Sequence, residues 1–243
     1  MANRILFVII LFGFLAAKFV SAQEVLPKNW NTEKIRGTRL IPYASFSGTP
    51  YLNDKFVKGE IEFLDGTKVS GIGLRYSSYR DELIYYNTVI SAQIIIDKIS
   101  LKGFSFTDGD RVRRIFRQQY YDGFLNGNRF FEVLSDGDVS VLAYRKVVLL
   151  NCALYTDESG KQKNMSYEPA YNYYLYNAKN GYESIRIGKN SLLTKFDKPV
   201  QKMVKKILRK NKVTITDEKS FVRAWNLIKE NGIKITIGNK SSN

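Results

Sequence analysis

Four Asp-Gly dipeptides punctuate this chain, at Asp65-Gly66, Asp108-Gly109, Asp122-Gly123 and Asp136-Gly137, and the last three recur every 14 residues. Asp-Gly favours the tight turns that join antiparallel strands, because glycine adopts positive φ freely and aspartate tolerates it. The segments between the turns carry the matching pattern. Residues 59–64 alternate charged and apolar side chains, residues 67–76 alternate again, and Asp65-Gly66 lies between them. Arg80-Asp81 marks another turn before a strand at 82–86. Residues 101–106, 112–120 and 129–134 read as further strands, 139–150 as one long apolar run, and 171–176 with 182–187 as a last hairpin turning at Asn180-Gly181. The spacing predicts a meander of antiparallel strands. Residues 156–166 hold almost no apolar groups and read as a mobile surface loop. Residues 23–55 read as irregular, since Pro27, Pro42 and Pro50 oppose long helices.

After Gly188 the apolar period changes from 2 to 3.6. Asp197 is placed to cap a helix with Pro199 in its first turn, and Val200, Met203, Val204, Ile207 and Leu208 form its apolar stripe. Thr216 is placed to cap a second helix whose inner face is Phe221, Val222, Trp225 and Ile228, ending at Asn231-Gly232. Ile233, Ile235 and Ile237 alternate with polar residues as a short final strand. The fold class expected is mainly β with an α+β ending: a curved or barrel-like antiparallel sheet over 56–188, then a helix pair and short tail over 189–243.

Residues 1–22 have the form of a secretory leader. Arg4 supplies the positive start, 5–17 are apolar, and Val20-Ser21-Ala22 offers a small-residue cleavage site. The apolar run is shorter than the ~20 residues that span a bilayer. Nothing after residue 22 resembles a second span, and no cysteine stands at the cleavage point for lipid attachment. The expected location is therefore periplasmic or secreted, with no membrane span after cleavage and no lipoprotein anchor.

Export sets the context for a composition that excludes much chemistry. The chain has no histidine and one cysteine. Ser-His-Asp triads, Cys-His dyads, imidazole zinc sites, thiolate metal cages and internal disulfides are all out of reach. Cys152, among Leu149, Leu150, Ala153 and Leu154, reads as a buried small hydrophobe. Carboxylates are the remaining acid-base groups. Glu60 and Glu62 share a strand face and Asp81-Glu82 sit at a turn, but solvent-facing strand positions explain the first pair without catalysis. The Asp-Gly-Asp turns at 108–110 and 136–138 lack the ligand series of a calcium loop. Gly71-Ile72-Gly73 lies inside a strand pattern with Tyr76 where a dinucleotide fingerprint needs glycine. No catalytic residue, metal site or cofactor is assigned.

Two surface features remain. The chain has 38 Lys+Arg against 23 Asp+Glu. Arg111, Arg113 and Arg117 fall on one side of a strand, with Val112 and Phe116 on the other. Lys202, Lys205, Lys206, Arg209 and Lys210, together with Lys198, crowd the polar side of the first helix. Such faces bind anionic lipid, acidic polysaccharide or an acidic patch on an envelope protein, although many charged faces simply stay wet. Nucleic acid is disfavoured, because export removes the usual target and no reading motif is present. Tyr171 and Tyr173 point one way along their strand and Tyr174 and Tyr176 the other, giving a face that suits sugar stacking, partner packing or half-buried sheet surface.

The order of several short motifs resembles a family of uncharacterised exported proteins from Bacteroidota-type bacteria. These motifs are Ser47-Gly48-Thr49-Pro50-Tyr51-Leu52-Asn53, Leu74-Arg75-Tyr76, Phe130-Phe131-Glu132-Val133-Leu134, Tyr173-Tyr174-Leu175 and the lysine-rich helix pair from Ser191 to about Asn231. The resemblance covers most of the chain after the leader and departs from the family at residues 233–243. It implies a β-rich exported protein with a helical ending and carries no catalytic residues across. The expected function is a non-catalytic cell-envelope protein that binds or scaffolds. The alternatives are a carboxylate-dependent glycan hydrolase, or association with an anionic surface through the first helix.

Overall fold

The computed structural model describes residues 35–109, 112–123, 127–156, 158–160, 162–235 and 237. The leader at 1–22, the start of the irregular segment, Asp110 and Arg111 lie outside the described residues. Those described fall in one unit, Ile35–Asn243.

Its strands in chain order are β1 (Gly37–Arg39), β2 (Ser47–Gly48), β3 (Val57–Phe63), β4 (Lys68–Ser77), β5 (Glu82–Asn87), β6 (Ala92–Ile96), β7 (Leu101–Thr107), β8 (Arg113–Tyr121), β9 (Gly127–Ser135), β10 (Ser140–Tyr144), β11 (Val147–Thr156), β12 (Gln162–Pro169), β13 (Asn172–Asn177) and β14 (Gly181–Ile185). Among the described residues, eleven of them form one antiparallel sheet in the order β1-β6-β5-β4-β3-β7-β8-β9-β10-β13-β14, and β11-β12-β2 form a second. The mainly β architecture is as the turn spacing predicts. The sheet is open rather than a closed barrel, with β1 and β14 at its two edges.

The large sheet curls strongly. Adjacent strands lie ~4.8 Å apart, so four steps across a flat sheet span ~19 Å. Yet Asp81, at the β4–β5 turn, accepts hydrogen bonds from the backbone N–H of Phe130 on β9, four strands away, at 3.3 and 3.4 Å. Likewise the Tyr182 hydroxyl on β14 lies 3.1 Å from the carbonyl of Tyr120 on β8. The two curls use opposite faces of β9. Phe130 packs with Tyr76, Phe104 and Phe116 in the first, and its neighbour Phe131 packs with Tyr121, Tyr174 and Tyr182 in the second. Side-chain alternation along a strand makes this possible. Gly103 lets β7 and β8 approach closely, since a Cβ there would lie 2.4 Å from the carbonyl oxygen of Phe116.

Several expectations need correction. Residues 37–39 and 47–48, within the segment read as irregular, are strands β1 and β2. Residues 139–150 form two strands rather than one run, because the chain breaks at Arg145-Lys146 and β10 and β11 enter different sheets. Residues 156–166 are not a free loop. They contain a turn and the start of β12, which pairs with β11 from Thr156↔Gln162 to Val147↔Pro169; backbone hydrogen bonds hold a strand that offers few apolar side chains. Ile233 and Ile235 make no strand and instead pack, with Ile237, on the helical core.

Helices α1 (Lys189–Leu193), α2 (Lys198–Lys210) and α3 (Glu218–Glu230) follow the last hairpin. Val204 and Leu208 of α2 and Phe221, Ala224, Trp225 and Ile228 of α3 are buried with Val141, Leu175 and Ile185 of the sheet. Asp197 occupies the N-cap of α2 without a side-chain cap bond. Asp217, not Thr216, caps α3, its carboxylate accepting the Ser220 N–H at 2.8 Å while the Ser220 hydroxyl receives the Asp217 N–H. Met203 is 51% exposed and stands outside the apolar stripe. No helix among the described residues is long and apolar enough to cross a membrane.

Candidate functional site

Of the strand arginines, Arg113 and Arg117 are exposed but have acidic groups beside them. Arg113 and Arg117 share the outer side of β8, opposite the buried Phe116, but Val112 precedes the strand and is exposed. Arg117 makes a bidentate pair with Asp136 at 3.1 and 2.5 Å. Arg113 reaches Ser105 at 3.2 Å and lies 4.0 Å from Glu60. Both line a cleft of about 500 Å³ with Glu60, Glu62, Lys68 and Lys102, where positive and negative groups alternate. Glu60 accepts from the Ser70 hydroxyl at 2.7 Å and Glu62 from Lys102 at 2.7 Å. That Lys102 bond holds the Glu62 carboxyl below the ordinary range, the opposite of the upward shift a general acid requires.

The Asp136 carboxyl titrates at about 2, held down by its hydrogen bond from Arg117 although partial burial opposes the shift. Since the folded value lies below the ordinary 3.8, the stability this pair adds is present above about 4 and is lost as pH falls through about 2. A carboxyl NMR titration is expected to show that low midpoint and its return toward 3.8 in Arg117→Gln. A wild-type midpoint already near 4 would show that the pair does not persist in solution.

The tyrosines divide between two environments. Tyr171 lies under the Arg145 guanidinium at 4.8 Å, and Tyr173 packs on the helical core. Burial and a hydrogen bond to Glu218 raise the Tyr173 phenol to about 12. Tyr174 and Tyr176 face the other way, into edge-to-face and tilted contacts with Tyr121, Tyr182 and Phe131. The four side chains do not form one platform: Tyr173, Tyr174 and Tyr176 are half-buried in these contacts, and Tyr171 is exposed.

Two buried polar clusters escape a sequence reading. Arg114 points inward beside Phe116 and donates to both carboxylate oxygens of Glu132, at 2.8 and 2.7 Å. Glu132 also accepts from Arg145 at 2.5 Å, and Arg145 donates to Glu218 at 2.7 and 2.8 Å. Burial works against the Arg145 charge, but the Glu218 and Glu132 carboxylates outweigh it and hold it protonated. This chain ties β8, β9, the β10–β11 break and the first turn of α3. The second cluster centres on Asp81, buried in left-handed backbone (φ 58). Its carboxylate accepts from Tyr76 and Lys98, each at 2.5 Å, as well as from the Phe130 N–H. Burial raises the Asp81 carboxyl and lowers the Lys98 amine, with each charge partly restoring the other. The only local sign of either cluster is the Arg80-Asp81 turn signal, and it does not report burial.

The helix cations differ from the strand arginines. Lys202, Lys205, Lys206, Arg209 and Lys210 are all exposed. None forms an ion pair among the described residues. Lys205 and Arg209 line a shallow cleft of about 560 Å³ with Lys189 and Lys212, separate from the cleft that holds Arg113 and Arg117. Among the described residues no group of acidic or cysteine side chains is arranged to hold a metal ion. The fold and its charge distribution define a mainly β protein bearing a cationic helix pair. No family model, curated protein or solved structure matches the chain.

Proposed function

We propose that this is an exported, non-catalytic protein of the cell envelope that binds an anionic lipid surface through α2. The observation that carries the proposal is the contrast in charge pairing: the strand arginines are matched by nearby acidic groups, whereas Lys202, Lys205, Lys206, Arg209 and Lys210 stand exposed with no ion-pair partner among the described residues. Met203 favours lipid over a polysaccharide. It stands exposed at positions three and seven before Lys206 and Lys210, so apolar and cationic groups share one helix face. The leader-like residues 1–22 and the resemblance to exported Bacteroidota-type proteins support the envelope location. Membership of that family is part of the same proposal.

Vesicles containing anionic lipid are expected to bind the purified chain at low salt, with affinity falling steeply as ionic strength rises. Replacing Lys202, Lys205, Lys206 and Lys210 together by Gln is expected to weaken binding by ~100-fold or more, since each basic residue near such a surface adds roughly tenfold or somewhat less. Absent or salt-independent binding sinks the proposal.

A further inference from the structure

We infer that the turn joining α2 to α3 is a binding site for a phosphomonoester group. The inference deepens the surface proposal by naming the headgroup chemistry. Two adjoining clefts, of about 560 and 320 Å³, meet at Lys212-Val213-Thr214. Lys189, Lys205 and Arg209 contribute to the first, Lys219 and Arg223 to the second, and Lys212 to both. All six cations are exposed, and among the described residues none is ion-paired. The first cleft contains no carboxylate. Asp217 in the second is occupied with the Ser220 N–H as the α3 cap. Six like charges around one turn repel each other, and a dianionic oxyanion relieves that repulsion further than a carboxylate can. Guanidinium forks flanked by ammonium groups and the Thr214 hydroxyl suit its several oxygens.

The backbone supplies a second, independent observation. α2 ends at Asn211-Lys212 and α3 at Asn231-Gly232, and the two ends have the same geometry. Lys212 N–H donates to the Arg209 carbonyl at 3.1 Å and Val213 N–H to Leu208 at 2.9 Å. Gly232 N–H donates to Lys229 at 2.9 Å and Ile233 N–H to Ile228 at 3.3 Å. This paired closure requires a left-handed residue, with φ 51 at Lys212 and φ 70 at Gly232. Glycine fills the position in α3 without steric cost. In α2 a lysine fills it against the conformational preference of any residue with a Cβ. Packing does not account for the exception, since Lys212 is exposed. What the lysine contributes is a cation shared by the two clefts, which fits strain retained for binding.

Lys212→Gly therefore separates stability from binding. It is expected to raise the melting temperature by ~2–4 °C, while weakening inorganic phosphate binding by about fivefold. Binding is read from NMR shifts of the Lys212, Val213 and Thr214 amides at constant ionic strength. Saturable phosphate shifts that chloride does not produce support the site even if vesicles fail to bind, in which case the surface proposal alone falls. Their absence, or unchanged affinity in Lys212→Gly, overturns the site even if vesicles bind. Vesicles carrying phosphatidate or phosphatidylserine at matched surface charge distinguish a lipid headgroup from free phosphate as the source. With a lipid source the wild type prefers phosphatidate, and Lys219→Gln/Arg223→Gln, which leaves the cationic face of α2 intact, loses the preference while keeping general anionic binding. Phosphate shifts without a phosphatidate preference support the site with a soluble phosphomonoester as its ligand.

Discussion

Glu132→Ala is expected to destabilise the fold by about 3–5 kcal/mol, because it leaves two guanidinium groups inside the protein without their shared carboxylate. The Glu132 side chain is 7% exposed, and its partners Arg114 and Arg145 are 18% and 3% exposed. At ~2–4 °C per kcal/mol for a chain of this size, the melting temperature falls by roughly 10 °C. Glu218 would still hold Arg145, so the cost arises chiefly at Arg114 on β8. The double replacement Arg114→Met/Glu132→Leu removes the bidentate pair as a unit, leaves Arg145 held by Glu218, and is expected to cost less than the single one, as apolar substitutes for buried ion pairs often do. Equilibrium urea unfolding of the three chains checks this. A loss below about 1 kcal/mol for Glu132→Ala would place the network in solvent rather than in the core.

Asp81→Ala is the second large expected effect, about 3–5 kcal/mol. One carboxylate there accepts from the Tyr76 hydroxyl, the Lys98 amine and the Phe130 N–H. Removing it orphans three donors, two of them buried, at the point where the curled sheet bridges β4 and β9 without a backbone ladder. Asp81→Asn is expected to cost less, since asparagine tolerates the left-handed conformation and keeps one acceptor. Hydrogen exchange locates the effect: the Phe130 amide should lose protection in Asp81→Ala before the amides of the helix pair do. Equal loss across both regions would mean that Asp81 supports the fold globally rather than closing the first curl.

Much of the architecture was legible because its signals are local. Asp65-Gly66, Asp136-Gly137 and Asn180-Gly181 each turn a hairpin where the alternation of their flanks requires one. Val204, Leu208, Phe221, Trp225 and Ile228 are buried as their 3.6-residue spacing demands. The misreadings occur where local pattern and tertiary demand diverge. The residues of 139–150 carry a continuous strand signal, yet Arg145 is drawn to Glu132 and Glu218, and the strand breaks there. β12 carries little apolar signal and is held by its neighbours' backbones on both sides.

The candidate sites show the same division. The cationic face of α2 could be read directly, because every member lies on one helix and exposure follows from its period. The sequence placed Arg113 and Arg117 correctly on the outer face of β8, but their partners Glu60 and Asp136 are on other elements. The turn at Lys212 was invisible, since neither the two clefts nor a left-handed lysine has a local pattern. By itself, then, the sequence determined the hairpins at Asp65-Gly66, Asp136-Gly137 and Asn180-Gly181, the two long helices and the sign of the charge on each face, quantities set by neighbours within a few residues. Only the tertiary structure decided the two curls, the break at Arg145 and which charges are neutralised. Those outcomes depend on distances between groups far apart along the chain, and Coulomb and hydrogen-bond energies respond to separation in space.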